Sequence, residues 1–238
     1  MATIHIGCCG FGGALESYIQ LFDTVEIQHT FYQPPMLRTL QRWRSGVPKD
    51  FEFTIKAWQL ITHEAKSPTY RRLKRELTDK ERTECGAFRK SHIVMDAWKT
   101  TVECAEVLGA RRILFQCPAS FKPSKENLAN LHKFFGSIER DGRELYWEPR
   151  GKEWTAELVK ATCKELSLCH ALDPFVSKSQ TPNRTYFRLH GKGGWRYVYN
   201  DDEIREITTM LPSRGSAYVL FNNIKMREDA ERFARLLS

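Results

Sequence analysis

Residues 51–58 read FEFTIKAW, and in this run Phe53 and Ile55 alternate with Thr54 and Lys56. Alternation with a period of two is typical of a β-strand that buries one face. Similar β-branched or aromatic runs recur along the chain, and amphipathic helical stretches separate most of them. The predicted strands are Ile4–Cys9, Val25–Thr30, Phe51–Trp58, Ile113–Cys117, Leu145–Arg150, Leu168–Asp173, Tyr186–His190 and Tyr218–Asn222. Because strands separated by helices pair in parallel, the sequence predicts an α/β fold, a (β/α)8 TIM-like barrel.

The length and composition fit one barrel domain. The chain has 238 residues, close to the roughly 250 that this fold usually needs, and we predict a single domain over residues 1–238. No stretch approaches the ~20 apolar residues of a membrane span, and the first ten residues show no charged leader with an apolar core. We therefore predict a cytoplasmic protein without a membrane partner.

A long polar segment interrupts the alternation of strands and helices at about residues 59–94. It is much longer than the roughly 2 to 6 residues of an ordinary βα loop, so we predict a basic helical insertion after strand 3, over the active face. Its run TYRRLKREL, Thr69–Leu77, places four cations beside Tyr70: Arg71, Arg72, Lys74 and Arg75. Two interpretations stay open, a solvated helical face balanced by nearby acids and a lid that grips phosphates.

The formal net charge of +8 favours an anionic substrate or partner, including DNA or RNA, although a surplus of this size is also common as plain solvated surface. Seven cysteines without paired CxxC spacing support neither a disulfide framework nor a zinc ribbon. Cys9 shares the inward parity of the first strand, so a thiol site stays open there. Cys117 has outward parity and is interpreted as a packed small residue.

Polar residues near the carboxyl ends of the predicted strands form the candidate site. In a (β/α)8 barrel this end carries chemistry, and strand side chains of one parity point to the barrel axis. The candidate catalytic residues are Glu26, Lys56, Glu148, Asp173 and His190. The candidate substrate-binding residues are Tyr32, His63, Gln116, Arg150, Arg188 and Asn222. Unlike charges crowded together shift pKa values, and the alternative is a buried ion-pair network that fills the barrel.

The residue types suggest individual roles. Glu26 or Glu148 suits a general base, and His190 suits proton transfer near neutral pH. Lys56 and Arg188 suit an anionic substrate or a developing negative charge. Glu148 and Asp173 offer hard oxygen ligands, so we predict one divalent metal ion (Mg²⁺, Mn²⁺ or Zn²⁺) and no organic cofactor.

Several of these runs resemble the DUF72, or YecE-like, family, in the right order over nearly the whole chain. They are VEIQHTFYQPP (25–35), FEFTIKAWQLITH (51–63), ILFQCPASF (113–121), YWEPR (146–150), YFRLHG (186–191) and YVLFNN (218–223). The resemblance implies a TIM barrel and little about activity, because the family is one of unknown function. The family pattern falls on Glu26, Thr30, Phe31, Tyr32, Lys56, Thr62, His63, Gln116, Pro118, Glu148, Arg150, Asp173, Arg188, His190, Gly191 and Asn222.

Two departures from the family pattern limit what carries over. Residues 7–10 read GCCG, whereas the family usually has Gly, Thr or Ser, Ser, Gly, so a hydroxyl-dependent role does not transfer to Cys9. Residues 148–151 read EPRG, whereas the family usually has Glu, Phe, Arg, His, so no histidine role transfers there.

Three functions follow as hypotheses. The first is metal-assisted hydrolysis of phosphate esters, including nucleic-acid phosphodiesters, at the carboxyl face. The second is a metal-independent lyase or isomerase of a small anionic metabolite that uses Lys56. The third is a non-catalytic module that binds nucleic acid through the basic insertion. The fold alone does not choose among them.

Overall fold

The computed structural model describes residues 2–237, and within them eight parallel strands form a closed barrel in chain order. β8 pairs with β1, which closes the ring. The (β/α)8 prediction is confirmed. The strands are β1 (Thr3–Cys8), β2 (Thr24–Ile27), β3 (Glu52–Lys56), β4 (Arg112–Gln116), β5 (Glu144–Glu148), β6 (Cys169–Leu172), β7 (Arg184–Leu189) and β8 (Ser216–Phe221).

The helices between the strands begin and end on residues that satisfy their free backbone groups. Thr155 and Ser124 accept backbone N–H bonds at two helix starts, and Asn200 with Glu203 forms a capping box at a third. Gly109, at φ 65°, ends the longest helix in the left-handed conformation that glycine tolerates. The helices are α1 (Leu15–Tyr18), α2 (His29–Tyr32), α3 (Leu37–Ser45), α4 (Gln59–Thr62), α5 (Asp79–Glu84), α6 (His92–Leu108), α7 (Lys125–Phe135), α8 (Ala156–Glu165), α9 (Asp201–Met210) and α10 (Met226–Arg235).

The predicted strands extend too far at their carboxyl ends, by one to three residues. Val25–Thr30 was wrong beyond Ile27, because the chain turns there into the short helix α2. Arg150, Asp173 and His190 likewise follow their strands and lie in loops. Asn222 also follows its strand, but its N–H still donates to the Leu189 carbonyl of β7 at 2.9 Å. These polar residues therefore stand at the open end of the barrel.

Strand residues of opposite parity lie on opposite sides of the barrel wall, as predicted. Phe53 and Ile55 of β3 belong to the large core between the sheet and the helices. Residues of the opposite parity make a separate buried cluster within the ring: Cys9, Leu114, Tyr146, Cys169, Ala171, Tyr186, Tyr218 and Leu220. This cluster fills the middle of the barrel, so the barrel is a packed core and not a pore.

Charged residues close the amino end of the barrel. Arg112 pairs with Glu52 at 3.0 Å and with Glu144 at 3.1 Å, and its guanidinium lies 4.6 Å from the centre of the Tyr218 ring. All three charged residues are at or next to the first residues of their strands. Chemistry is therefore expected at the opposite, carboxyl end.

The insertion between β3 and α6 folds back on itself, so that its end returns to its first helix. The N–H of Gly86 donates to the carbonyl of Leu60 at 2.7 Å, and the N–H of Phe88 donates to that of Ile61 at 2.8 Å. The insertion contains α4, a 3₁₀ turn at Pro68–Arg72 and α5. The basic run is thus a 3₁₀ turn followed by irregular chain, and not a regular helix.

Gly86→Ala is expected to destabilise the protein by about 1–3 kcal/mol. Gly86 has φ 78°, and a Cβ there would lie 2.3 Å from the carbonyl oxygen of His63. Thermal unfolding followed by circular dichroism measures the effect. Gly142→Ala is the matched control, since Gly142 also has positive φ but a Cβ there meets no atom within 4 Å. Equal losses in the two variants would contradict the close contact as the cause.

Candidate active site at the carboxyl end of the barrel

A buried ion network, formed by Glu26, Lys56, Gln116, Glu148 and Arg188, lies just below the carboxyl end of the barrel. Arg188 is at its centre and is fully buried. Its Nε and Nη2 donate to the two oxygens of Glu26 at 2.9 and 2.8 Å, and its Nη1 donates to Glu148 Oε2 at 2.6 Å. Burial opposes the charge on Arg188, but the two carboxylates hold its pKa well above the ordinary value.

Glu26 is the deepest acid of the candidate set. It is fully buried, and besides Arg188 it accepts a hydrogen bond from the Tyr186 hydroxyl at 3.0 Å. Tyr186 in turn is hydrogen-bonded to Thr54 at 2.7 Å. Both Glu26 oxygens are therefore occupied by donors, and this geometry suits the fixing of Arg188 better than a general base.

Glu148 connects the buried network to the open end. Its Oε2 accepts from Arg188, and its Oε1 accepts from Arg150 Nε at 2.8 Å. Burial acts to raise the pKa of Glu148, but Arg188 and Arg150 outweigh burial and hold this pKa below the usual range. Glu148 is thus an anion at neutral pH with both oxygens committed to arginines.

Lys56 is buried at the end of β3, with 4% of its surface exposed. Its Nζ donates to Gln116 Oε1 at 2.8 Å and lies 3.6 Å from the centre of the Phe31 ring. Burial, together with the neighbouring Arg188 guanidinium, lowers the pKa of Lys56 to about 7. A large share of this lysine is therefore a neutral amine at physiological pH.

The Gln116 side chain has a fixed orientation. Its Oε1 accepts from Lys56 Nζ and, at 3.3 Å, from Arg188 Nη1. Because both cations donate to the oxygen, the Nε2 amino group is turned away from them. Within residues 2–237 that amino group has no hydrogen-bond partner, so it can donate to an oxygen of a substrate bound beside Lys56.

The mouth of the barrel, which we define by Arg150, Asp173 and His190, is partly open to solvent: the exposed fractions of these side chains are 37%, 12% and 25%. His190 Nε2 lies 3.0 Å from Arg150 Nη2 and 3.2 Å from Arg188 Nη1. Arginine only donates, so Nε2 carries the lone pair and the ring proton is on Nδ1, 3.7 Å from Asp173 Oδ2. His190 Nε2 is thus placed as a hydrogen-bond acceptor for the two arginines.

The other predicted substrate-binding residues surround this mouth. Asn222 Oδ1 accepts from Gln28 Nε2 at 3.1 Å. His63 is buried, and its ring packs edge-on against Phe31 at 4.9 Å. Burial, Lys56 and Arg150 lower the pKa of His63 to about 3, so it is neutral. Tyr32 lies outside this network and stacks under Arg72, at 3.5 Å from the guanidinium carbon to the ring centre.

The predicted metal site has no ligand set in the structure. Both Asp173 oxygens accept backbone N–H bonds, from Phe175 and His190, each at 3.0 Å. Both Glu148 oxygens accept hydrogen bonds from arginines, Arg150 and Arg188. Among the residues that the structure describes, no three or more His, Cys, Asp or Glu side chains are grouped to hold a metal ion. The donors present do not fit a divalent cation, and we derive no chemistry through one.

The cysteines are buried and free in the described part of the chain. Burial raises the pKa of Cys9 and of Cys117, so neither thiol ionises at neutral pH. Cys117 lies in the core and its Sγ accepts from Trp147 Nε1 at 3.1 Å, as a packed small residue would.

The sequence interpretation missed two aromatic residues. Phe31 falls in the family pattern but was given no role; it is buried, and its ring face contacts Lys56. Trp195, 60% exposed after β7, was not selected. The one available signal was a tryptophan placed among the turn residues of the run GKGGWR (191–196).

Fold and site together define a (β/α)8 barrel protein with a charged site at the carboxyl ends of its strands. The model of DUF72, a family described as proteins of unknown function, matches residues 11–238, and the chain belongs to this family. It is 26% identical to the UPF0759 protein YunF of Bacillus subtilis, over 98% of this chain and 93% of the relative.

Two solved structures show the same fold. A DUF72 family protein from Enterococcus faecalis superposes with a TM-score of 0.74 at 22% identity, over 100% of this chain and 98% of the other. A DUF72 family protein from Thermotoga maritima gives a TM-score of 0.70 at 20% identity, over 99% of both chains. Neither comparison carries an activity. In the part of the chain that the structure describes, no helix combines the length and apolar character of a membrane span.

Proposed function

We propose that the protein is a metal-independent lyase or isomerase that forms a Schiff base between Lys56 and a small anionic carbonyl substrate. The proposal rests on the burial of Lys56 and on its lowered pKa. Its amine is buried beneath the mouth, and its pKa is lowered to about 7. A desolvated lysine of this kind is the usual nucleophile for carbonyl carbon.

The surrounding groups suit each part of the reaction. Arg150 is half-buried at the mouth and offers N–H donors to the anionic group of a substrate. The free amino group of Gln116 can donate to the carbonyl oxygen. The Lys56 nitrogen adds to the carbonyl carbon, and the neutral amine gives up both of its protons, which the carbonyl oxygen takes. The C–O bond then breaks, water leaves, and a C=N bond remains.

Hydrolysis of phosphate esters assisted by a metal ion receives less support, because the oxygens of Glu148 and Asp173 already accept hydrogen bonds. One observation favours a phosphate-bearing ligand, namely the cations on the outer rim of the barrel. These cations lie on a different surface from that of Lys56.

Borohydride trapping tests the Schiff base. The protein is incubated with small anionic aldehydes and ketones, such as glyoxylate, pyruvate and glyceraldehyde 3-phosphate, then reduced, and the adduct is located by peptide mass spectrometry. We expect an adduct at residue 56 whose rate rises with pH through about 7, since the neutral amine reacts.

Two variants control the trapping experiment. Lys56→Met removes the amine and is expected to abolish the adduct, whereas Lys160→Met removes an exposed lysine of α8 and is expected to change nothing. Adducts spread over exposed lysines, with none at residue 56 for any carbonyl compound, would overturn the proposal.

A further inference from the structure

Two arginine–aromatic stacks occur on the outer rim of the carboxyl end. The Arg72 guanidinium lies 3.5 Å from the centre of the Tyr32 ring, and that of Arg196 lies 5.3 Å from the centre of the Trp195 ring. Tyr32 ends α2, directly after β2, and Trp195 follows β7. In the closed ring, β8 and β1 separate β7 from β2, so the stacks stand on different sides of the mouth.

The Trp195 side chain is presented to solvent by an ordered turn. The N–H of Ile224, after β8, donates to the Trp195 carbonyl at 2.6 Å. Gly191 has φ 87°, and a Cβ there would lie 2.3 Å from Tyr197 Cβ, so the turn requires glycine at this position. Ile224 is itself 53% exposed. The turn therefore holds an apolar surface out of the core, next to a cation.

Most cations of the basic run and of the Trp195 turn form no ion pair within residues 2–237. Of the basic run, Arg75 pairs with Glu81 at 2.8 Å. Across residues 2–237, Arg71, Arg72, Lys74 and Arg196 form no ion pair. The backbone N–H of Lys74 donates to Gln33 Oε1 at 3.1 Å, which ties the basic run to the segment after α2. The predicted basic patch is thus held at the edge of the mouth.

We propose that this rim, formed by Tyr32, Arg71, Arg72, Lys74, Trp195 and Arg196, binds single-stranded nucleic acid. Unpaired cations attract phosphates, and the exposed Trp195 ring and the half-buried Tyr32 ring next to them offer stacking faces to unpaired bases. A duplex keeps its bases stacked on one another and cannot use the rings. The inference goes beyond the proposed carbonyl chemistry and does not depend on Lys56.

Fluorescence anisotropy with labelled single strands of DNA and RNA, about 15 nucleotides long, tests the proposal. We expect binding that weakens as salt rises, and weaker binding of a duplex of the same sequence. Trp195→Ala is expected to lower affinity roughly 5- to 100-fold, the loss of one stacked base. Arg72→Ala is expected to weaken all single strands and to reduce the slope of log affinity against log salt by about one.

Matched variants separate this site from general charge attraction. Arg214→Ala removes an exposed arginine between α9 and β8, at the amino end of the barrel, and is expected to leave affinity unchanged. Heparin serves as a polyanion without bases, and its binding is expected to be insensitive to Trp195→Ala. Equal affinities for single strands in Trp195→Ala, Arg72→Ala and Arg214→Ala would overturn the proposal, as would duplex binding equal to that of single strands.

Single-strand binding at the rim can be tested independently of the carbonyl reaction at Lys56. Lys56→Met is expected to bind single strands as the unchanged protein does, because Lys56 is buried below the rim. Trapping at residue 56 without single-strand binding would overturn the rim proposal alone. Single-strand binding without trapping would support the rim and reject the Schiff base.

Discussion

Arg188→Met is expected to lower the free energy of unfolding by about 3–5 kcal/mol at pH 7, the usual cost of removing one partner from a buried ion pair. Arg188 is fully buried between Glu26 and Glu148. Methionine fills part of the volume but donates no hydrogen bond, so two carboxylates remain in the barrel without their main counter-ion. Urea unfolding followed by circular dichroism measures the change.

Two further variants isolate the charge effect. Arg184→Met replaces an exposed arginine at the first residue of β7 and is expected to change stability little. Glu26→Gln combined with Arg188→Met removes one stranded charge and is expected to recover part of the loss. If Arg188→Met were as stable as Arg184→Met, the ion network would not stabilise the barrel.

The acid side of the stability curve gives an independent check. The pKa of Glu148 is lowered in the folded protein, because Arg188 and Arg150 outweigh its burial. Its contribution is therefore present above the ordinary glutamate pKa of about 4.3 and is lost as the pH falls through the lower folded value. Arg188→Met lacks much of this contribution, so the gap between the variant and the unchanged protein is expected to narrow in acid.

The barrel could be predicted from the sequence because its strands have a simple period. Runs such as FEFTIKAW assign one parity to the helix side and the other to the axis, and β3 obeys that assignment. The ends of the strands could not be located, since residues such as Thr30 have strand propensity but lie in a helical turn. The Thr30 hydroxyl lies 2.7 Å from the Lys56 carbonyl on the neighbouring strand, and such a tertiary contact overrides local propensity.

The residues of the candidate site could be predicted from the sequence, but the hydrogen bonds and ion pairs between them could not. Inward parity selected Glu26, Lys56, Glu148 and Arg188, and the structure brings them together. Which acid accepts from which cation depends on contacts across the ring, between residues far apart in the chain. Parity alone therefore could not show that Glu26 and Glu148 are committed to Arg188, which reduces the support for a metal ion.

The conformation of the rim loops could not be predicted from the sequence. The basic run was visible as a charge pattern, but two of its interpretations stayed open. The structure shows Arg72 stacked on Tyr32, which a helical face balanced by nearby acids does not predict. Trp195 lies in a glycine-rich turn with no periodicity, so its exposure depends on the backbone contact with Ile224.

Lys56→Met is expected to raise the free energy of unfolding by about 2–4 kcal/mol at pH 7. The pKa of Lys56 is about 7 in the folded protein, because of burial first and Arg188 second, against about 10.4 for an unfolded lysine. Between these values the unfolded chain binds the extra proton, so the stability of the unchanged protein rises with pH across this window. Below pH 7 the full cost of the buried ammonium is present.

The advantage of Lys56→Met is therefore expected to be largest below pH 7 and to disappear as the pH approaches about 10. Urea unfolding at several pH values measures it, with Lys160→Met as a control whose stability difference stays constant. A variant less stable than the unchanged protein at every pH would show that the Lys56 contacts with Gln116 and Phe31 outweigh its desolvation. If Lys56→Met is more stable and no longer forms the borohydride-trapped adduct, Lys56 destabilises the folded protein but is required for the reaction. This combination is expected for a reactive buried amine.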